Sequence, residues 1–191
     1  VYPNRITCLM GPTGTGKSTL LRTLAGFNDA SPNFRTWGTA LFAGAPLESH
    51  NRPRMVQQST RLLMSGLLQN LIHELPERSS LSILQQRDLA TRMLEEAGLQ
   101  HLTGRLQAPV IELSLAEQRL VAVIRLCATG TRLLCLDEPT SGLPAGEEEP
   151  ILRYISLQAE RRAILISLHN QQQARQLGGT TALLAGGRIQ E

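Results

Sequence analysis

Lysine is almost absent from this chain of 191 residues: Lys17 is the only lysine among nineteen basic residues, and all the others are arginine. A chain that uses arginine elsewhere is expected to need the one lysine that it keeps. No apolar run approaches the roughly 20 residues that cross a bilayer, and residues 1–5 do not read as a signal peptide. We therefore expect any work at a membrane to require a partner.

Cysteine is also scarce, and the basic charge is dispersed. Cys8, Cys127 and Cys135 lie far apart in apolar runs, which favours buried, reduced thiols over disulfides or metal ligands. The four histidines show no metal-ligand spacing. The net charge of +3 forms no basic stripe interleaved with aromatic residues, so no nucleic-acid partner is expected.

Residues 11–18 read GPTGTGKS, which fits the phosphate-loop pattern G-x-x-x-x-G-K-[ST] at every fixed position. An apolar run precedes the loop and a helical apolar rhythm follows it, the context that this motif requires. Backbone amides of such a loop point at a polyphosphate. We expect Lys17 to reach the β and γ phosphates of a nucleoside triphosphate and Ser18 to hold Mg²⁺. The predicted nucleotide-binding residues are Gly11, Thr13, Gly14, Thr15, Gly16, Lys17, Ser18 and Thr19.

Two carboxylates follow a second apolar run, at residues 132–136. The run is typical of a central parallel strand, and α/β sheets place their ligands at the carboxyl ends of such strands. Asp137 is suited to hold magnesium through water, and Glu138 is placed to orient or deprotonate an attacking water.

Periodicity and turn residues predict an α/β fold with a mainly parallel sheet flanked by helices. Ser80 or Ser82 is expected to cap one helix, and Ser114 with Glu117 three residues later has the spacing of a capping box. Strands are predicted near residues 5–10, 37–44, 54–57, 132–137, 163–168 and 180–185, and helices near residues 18–26, 65–73, 81–98, 113–129, 147–161 and 171–177.

Taken in order, these motifs resemble the nucleotide-binding domain of ATP-binding cassette (ABC) transporters. The markers are the phosphate loop, MVQQ at 55–58, LSLAEQR at 113–119, the Asp137–Glu138 pair, PTSGL at 139–143 and ISLH at 166–169. The resemblance implies a P-loop NTPase fold in one ABC ATPase domain over residues 1–191. Its core would span about 1–61 and 113–191, with an inserted helical subdomain at about 62–112.

The resemblance also implies roles for single residues. Gln58, with Gln57 as the alternative register, would sense magnesium and the attacking water, and His169 would contact the γ phosphate. Ser114 would bind in trans, to the γ phosphate held by a second nucleotide-binding domain. The implied catalytic set is Glu138, His169, Lys17 and Gln58, and the implied magnesium set is Ser18, Gln58 and Asp137.

Three positions depart from the family pattern. Leu115 and Ala116 stand where the family usually has two glycines, and Pro144 stands where it usually has aspartate. Leucine can crowd a phosphate that glycine would admit, and proline removes an amide donor. We expect a complete phosphate loop but an impaired half-site for a partner; the alternative is that the substitutions are tolerated. Only ten residues precede the loop, so the family's N-terminal antiparallel strands, with their adenine-stacking aromatic, are expected to be missing or reduced.

The function implied by the resemblance is ATP binding and hydrolysis in an ABC transporter. The cofactors would be ATP and Mg²⁺, and the partners a second nucleotide-binding domain, in a homo- or heterodimer, and transmembrane permease subunits. These subunits would hold the cytoplasmic chain at the inner (plasma) membrane. Residues 28–38 and the strand after them are similar to phosphate importers, which favours import of phosphate or another small solute. The alternatives are a soluble ABC switch and a regulatory cassette that hydrolyses ATP poorly.

Overall fold

The computed structural model describes residues 1–48, 51–57, 62 and 65–190. Contacts divide the chain into two compact units. One, here called the sheet unit, comprises residues 1–57, 132–138 and 156–191. The other, the helical unit, comprises residues 58–131 and 139–155. The domain boundaries expected near residues 62 and 113 stay a prediction.

The sheet unit contains a six-stranded sheet that is parallel except at one edge. The strands are β1 (Ile6–Met10), β4 (Arg54–Val56), β5 (Leu133–Asp137), β6 (Ala163–Ser167), β7 (Thr180–Ala185) and β8 (Arg188–Gln190). Their order is β4-β5-β6-β1-β7-β8, and β8 alone runs antiparallel, against β7. Every residue of β1, β5 and β6 is buried, which explains why these strands are continuous apolar runs in the sequence. The predicted α/β fold with a mainly parallel sheet is confirmed.

Two helices lie entirely within the sheet unit. The first, α1 (Lys17–Leu24), follows β1 through the glycine-rich loop, and α6 (Gln171–Leu177) follows β6. Leu21 of α1 is fully buried in a cluster with Leu9, Cys135 and Leu165 from three strands. The apolar face of α1 thus fixes the loop between Met10 and Lys17 against the sheet.

The strand predicted over residues 37–44 is wrong. Two-residue strands, β2 (Leu41–Phe42) and β3 (Ala45–Pro46), form a small separate hairpin instead. Ala43 and Gly44 both have positive φ, 51° and 81°, as in the tight type I′ turn that joins such strands. The turn therefore falls inside the apolar run, and Trp37 before it is 87% exposed.

The helical unit matches its predicted elements closely. It contains α2 (Leu67–Ile72), α3 (Ile83–Glu96) and α4 (Leu115–Cys127), while α5 (Glu149–Ala159) has residues in both units. Ser82, rather than Ser80, caps α3, and Gly98 with φ of 80° follows its end. In the part of the chain that the structure describes, no helix has the length and apolar character of a membrane span.

Candidate functional site

The phosphate loop joins β1 to α1 within the sheet unit, and its glycines adopt backbone conformations that other residues avoid. Gly14 and Gly16 have φ of 81° and 98°, in the left-handed region. Gly11 has φ of 150°, and a Cβ there would lie 2.3 Å from the Leu184 carbonyl oxygen. The loop's path therefore needs glycine at each of these positions. Of its other predicted phosphate-binding residues, Thr13 and Thr19 are exposed, and Thr15 is partly exposed.

The Lys17 side chain is buried, and its ammonium folds back onto the loop. Its Nζ atom donates to the carbonyl oxygens of Gly11 and Pro12 at 2.8 and 3.1 Å. Because an ammonium has three N–H donors, these two bonds leave one donor for a phosphate oxygen. The bonds also fix the position of the charge, at the start of α1, where the helix dipole adds to the attraction for an anion.

The end of β5 lies beside the first turn of α1. The Ser18 hydroxyl donates to Asp137 Oδ1 at 3.0 Å, so a loop residue and a strand residue separated by 119 positions converge. Ser167, at the end of β6, donates to the same oxygen at 2.7 Å. Asp137 is 5% exposed, so these hydroxyls replace water around a buried carboxylate.

A histidine–carboxylate pair includes Glu138, the residue that follows Asp137 in the chain. His169 Nε2 contacts Glu138 Oε1, and both residues belong to the sheet unit. Glu138 has φ of 49°, which is uncommon for a residue that is not glycine and costs about 1–2 kcal/mol. Strained backbone of this kind concentrates at functional sites, where the surrounding structure fixes a side chain in position.

The donor set around Ser18 and Asp137 fits magnesium. A hydroxyl and a carboxylate are hard oxygen ligands, and Mg²⁺ is commonly held by one or two protein groups, with phosphates and waters completing the shell. The described residues contain no group of three or more His, Cys, Asp or Glu side chains arranged for a metal. Gln58, the third predicted magnesium residue, lies outside the described residues. Gln57, the alternative residue, is described and lies directly after the end of β4.

Ser114 belongs to the helical unit, where it caps α4. Its hydroxyl accepts from the Glu117 amide at 3.2 Å, and its own amide donates to Glu117 Oε2 at 2.7 Å, which confirms the predicted capping box. His101 Nε2 lies 2.6 Å from Glu117 Oε1. Partial burial raises the pKa of Glu117, but hydrogen bonds from His101 and Ser114 outweigh burial and leave this pKa below its ordinary value.

Two of the three residues that depart from the family pattern, Leu115 and Pro144, are exposed. Leu115, the first residue of α4, is 46% exposed beside the exposed Ser114. Pro144 is exposed, and its carbonyl accepts from the Glu147 amide. An apolar side chain therefore stands at the amino end of α4, next to the serine predicted to bind a phosphate in trans.

The sequence predictions gave no role to Ser167, although it lies within the ISLH motif at 166–169. It is a polar residue at the end of an otherwise apolar strand, a pattern that equally fits an ordinary strand end. The β5–β6 register places it directly beside Asp137, and this register is not readable from the spacing of the two residues in the chain. The available signal was a polar residue two positions before His169, which pairs with Glu138.

Comparisons with known proteins agree on the family. The sequence model of the family described as ABC transporter matches residues 1–141. The phosphate import ATP-binding protein PstB 2 of Mycobacterium tuberculosis is 33% identical over 199 aligned positions, which cover 100% of this chain and 72% of that protein. An uncharacterized ABC transporter ATP-binding protein of Haemophilus influenzae is 35% identical over 193 positions, which cover 95% of this chain and 70% of that protein.

A solved structure supports the same fold. It is a nucleotide-free ATP-binding cassette from an ABC transporter, and it matches with a TM-score of 0.77 at 21% sequence identity. The match covers 100% of this chain and 81% of that one. At this level of identity the likeness concerns the fold alone.

Proposed function

Because this chain belongs to the ABC transporter family, as an ATP-binding subunit, we propose that it hydrolyses ATP to power the import of phosphate or another small solute. The observation that carries the proposal is the meeting of Ser18, Asp137, Glu138 and His169 beside the phosphate loop. All four belong to one compact unit, where they and the loop would supply a phosphate cradle, a magnesium position and a general base.

The loop amides and Lys17 would bind the β and γ phosphates, and His169 would contact the γ phosphate. Mg²⁺, held by Ser18 and Asp137, would neutralise charge that develops on the phosphates. Glu138 would take a proton from water as its oxygen attacks the γ phosphorus in line. The bond from that phosphorus to the bridging oxygen then breaks, and ADP leaves with the electron pair.

A complete hydrolytic site is proposed to need a second nucleotide-binding domain. Ser114 would offer its hydroxyl to the γ phosphate held by that partner, and the amino end of α4 would add its positive dipole. The Ser114 hydroxyl already accepts the Glu117 amide, and a hydroxyl has a second lone pair and one proton for a phosphate oxygen.

Permease subunits are the other proposed partners, and they would hold the chain at the cytoplasmic side of the inner membrane. The M. tuberculosis relative is named as a phosphate import ATP-binding protein, and its alignment covers all of this chain. Phosphate is therefore the first solute to test. Recovery of the chain with an integral membrane protein, and ATP-dependent phosphate uptake by vesicles that carry both, would support this assignment.

The test of hydrolysis is ATP turnover with Mg²⁺ across a range of protein concentrations. We expect turnover per molecule to rise with concentration, because two copies build the complete sites. In Glu138→Gln turnover should fall by about 100-fold or more while ATP still binds and holds a dimer together, since loss of a general base removes about this factor. Unchanged turnover in Glu138→Gln would refute the assignment of the base.

The exposed Leu115 supports a second candidate function, a regulatory cassette that binds ATP and hydrolyses it poorly. Measurement of ATP turnover across the same range of protein concentrations separates the two candidate functions. ATP binding without turnover at any concentration would favour the regulatory function, and turnover should then rise in a combined Leu115→Gly, Ala116→Gly and Pro144→Asp variant. The soluble switch is disfavoured, because the matching family is that of transporters.

A further inference from the structure

We propose that Ser167 is a positioning residue for ATP hydrolysis, which holds the Asp137 carboxylate and the Glu138 backbone in one arrangement. The inference rests on the proposed hydrolytic function, and it concerns a residue that touches neither the phosphate loop nor His169 through the hydrogen bonds described above. It gives the site a third support, besides α1 and β5.

Ser167 is the last residue of β6 and is fully buried, at 0% exposure. The parallel register sets it directly beside Asp137 on β5. Its hydroxyl donates to Asp137 Oδ1 at 2.7 Å and accepts from the Glu138 amide at 3.0 Å. The same amide also lies 3.2 Å from the Ser167 carbonyl oxygen. One side chain therefore joins the two neighbouring residues that carry the proposed chemistry.

The chemistry of a hydroxyl suits this place. The other residues of β6 are Ala163, Ile164, Leu165 and Ile166, all apolar, so a polar group at the end of this strand must find partners or lose stability. A hydroxyl donates one proton and accepts through its lone pairs, which lets it serve an anionic acceptor and an amide donor together. An alanine at this position would remove one donor to Asp137 Oδ1 and leave the Glu138 amide with the backbone carbonyl of residue 167.

Asp137 is restrained from two sides. Ser18 and Ser167 both donate to Oδ1, from α1 and from β6. Two donors on one oxygen fix the rotation of the carboxylate, and hence the direction in which its other oxygen points. Without the Ser167 hydroxyl, Oδ1 would keep the Ser18 bond, and Ser18 is itself a proposed magnesium ligand. We infer that Ser167 preorganises the pair of oxygens that would meet Mg²⁺.

Glu138 is restrained through its backbone. Its left-handed φ of 49° is held where the amide meets the Ser167 hydroxyl, and its carboxylate contacts His169. If the amide loses the hydroxyl and keeps the carbonyl oxygen at 3.2 Å, the backbone is held less firmly and can relax to a more favourable φ. The carboxylate then moves away from its position beside His169. A small displacement of a general base lowers the rate of reaction strongly without weakening the binding of substrate.

The test compares Ser167→Ala and Ser167→Cys with Thr7→Val in the full chain. Thr7→Val removes a buried hydroxyl from β1 of the same sheet and serves as the matched control for stability. Three quantities are measured: kcat for ATP, the affinity for a fluorescent non-hydrolysable ATP analogue with and without Mg²⁺, and the thermal unfolding midpoint.

In Ser167→Ala we expect kcat to fall about 10-fold or more, the size expected when one hydrogen bond to a charged group is lost. Affinity for the analogue without Mg²⁺ should stay within about twofold, because the loop amides and Lys17 are intact. The gain in affinity on adding Mg²⁺ should shrink several-fold. Ser167→Cys should lie between Ser167→Ala and the unaltered chain, because a thiol is a weak donor and acceptor.

A Ser167→Ala protein with unchanged kcat and an unchanged Mg²⁺ effect would overturn the proposal. Equal losses in Ser167→Ala and Thr7→Val would also overturn it, since they would show only a general cost of losing a buried hydroxyl. If the unaltered chain hydrolyses no ATP, the proposed function fails, and the Mg²⁺ effect on analogue binding still decides whether Ser167 positions Asp137.

Discussion

Gly11 and Gly14 both belong to the phosphate loop, but they resist substitution for different reasons. At Gly14 the left-handed φ of 81° is the constraint, and an added Cβ would meet no atom within 4 Å. At Gly11 the added Cβ would lie 2.3 Å from the Leu184 carbonyl oxygen, on the neighbouring β7. A backbone atom inside a sheet cannot move aside as a flexible side chain can.

We therefore expect Gly11→Ala to destabilise the protein much more than Gly14→Ala. The Gly14 substitution should lower the free energy of unfolding by about 1–2 kcal/mol, the cost of a left-handed L-residue. The Gly11 substitution should cost about 3 kcal/mol or more, because it adds a steric overlap with backbone. Urea unfolding of both variants measures the difference, and equal costs would contradict a close approach of β7 to the loop.

The single residues of the site show what a sequence can reveal about chemistry. Lys17 and Ser18 are visible as candidates because their motif is contiguous, and Asp137 because it ends an apolar run. Ser167 is not visible in this way, since its importance depends on the alignment of β6 beside β5. Their roles in binding and hydrolysis remain predictions that the experiments above address.

Two helices of the helical unit begin with the same capping arrangement, which allows a controlled test of Ser114. Ser82 and Gln85 form a capping box at α3, and Ser114 and Glu117 form one at α4. In both, the serine hydroxyl accepts an amide three residues later, at 3.3 and 3.2 Å. The local contributions of Ser82 and Ser114 to stability should therefore be similar.

Ser82→Ala and Ser114→Ala should each lower the free energy of unfolding by about 1 kcal/mol, the usual cost of losing an N-cap. Only Ser114→Ala should also weaken ATP-dependent dimerisation and turnover, because only Ser114 is proposed to meet a partner's nucleotide. Denaturant unfolding and sedimentation with ATP measure the two effects. Equal turnover in both variants would restrict Ser114 to a capping role.

At the scale of elements, sequence pattern succeeded where local signals were strong. The serine and the residue three positions later predicted the cap of α4, and the long apolar runs predicted β1, β5 and β6. The pattern failed at residues 37–44, because apolar residues around a turn look like one strand. The antiparallel pairing of β2 with β3 and the positive φ values at Ala43 and Gly44 show that the chain reverses there.

For the whole molecule, the order of motifs predicted both the α/β fold and the ABC family, and comparison with known proteins confirmed each. The family follows from several short motifs that each depend on local chemistry. The division of the chain into units depends instead on contacts between distant segments, such as residues 132–138 within the sheet unit. Domain boundaries are therefore harder to predict than the presence of the domain.

The three free thiols are all buried, as predicted, and they can report the opening of each unit. Cys8 and Cys135 lie in the sheet unit and Cys127 in the helical unit. Burial raises the pKa of Cys8 to about 11, and burial followed by the nearby Asp137 charge raises that of Cys135 to about 12. At pH 8 both thiols are neutral in the folded state and react only when the unit opens.

Binding of nucleotide to the sheet unit should slow this reaction. With a non-hydrolysable ATP analogue and Mg²⁺ at about 100 times the dissociation constant, the folded state gains about 2.7 kcal/mol, so labelling of Cys8 and Cys135 should slow by about 100-fold. Mass spectrometry resolves each cysteine, and Lys17→Ala, which removes the phosphate-binding ammonium, should show no slowing. Cys127 reports the helical unit in the same reaction. If the labelling rates of Cys8 and Cys135 stay the same while the analogue is bound, the nucleotide site does not lie in the sheet unit. If these two rates fall while the labelling rate of Cys127 is unchanged, the nucleotide stabilises the sheet unit alone.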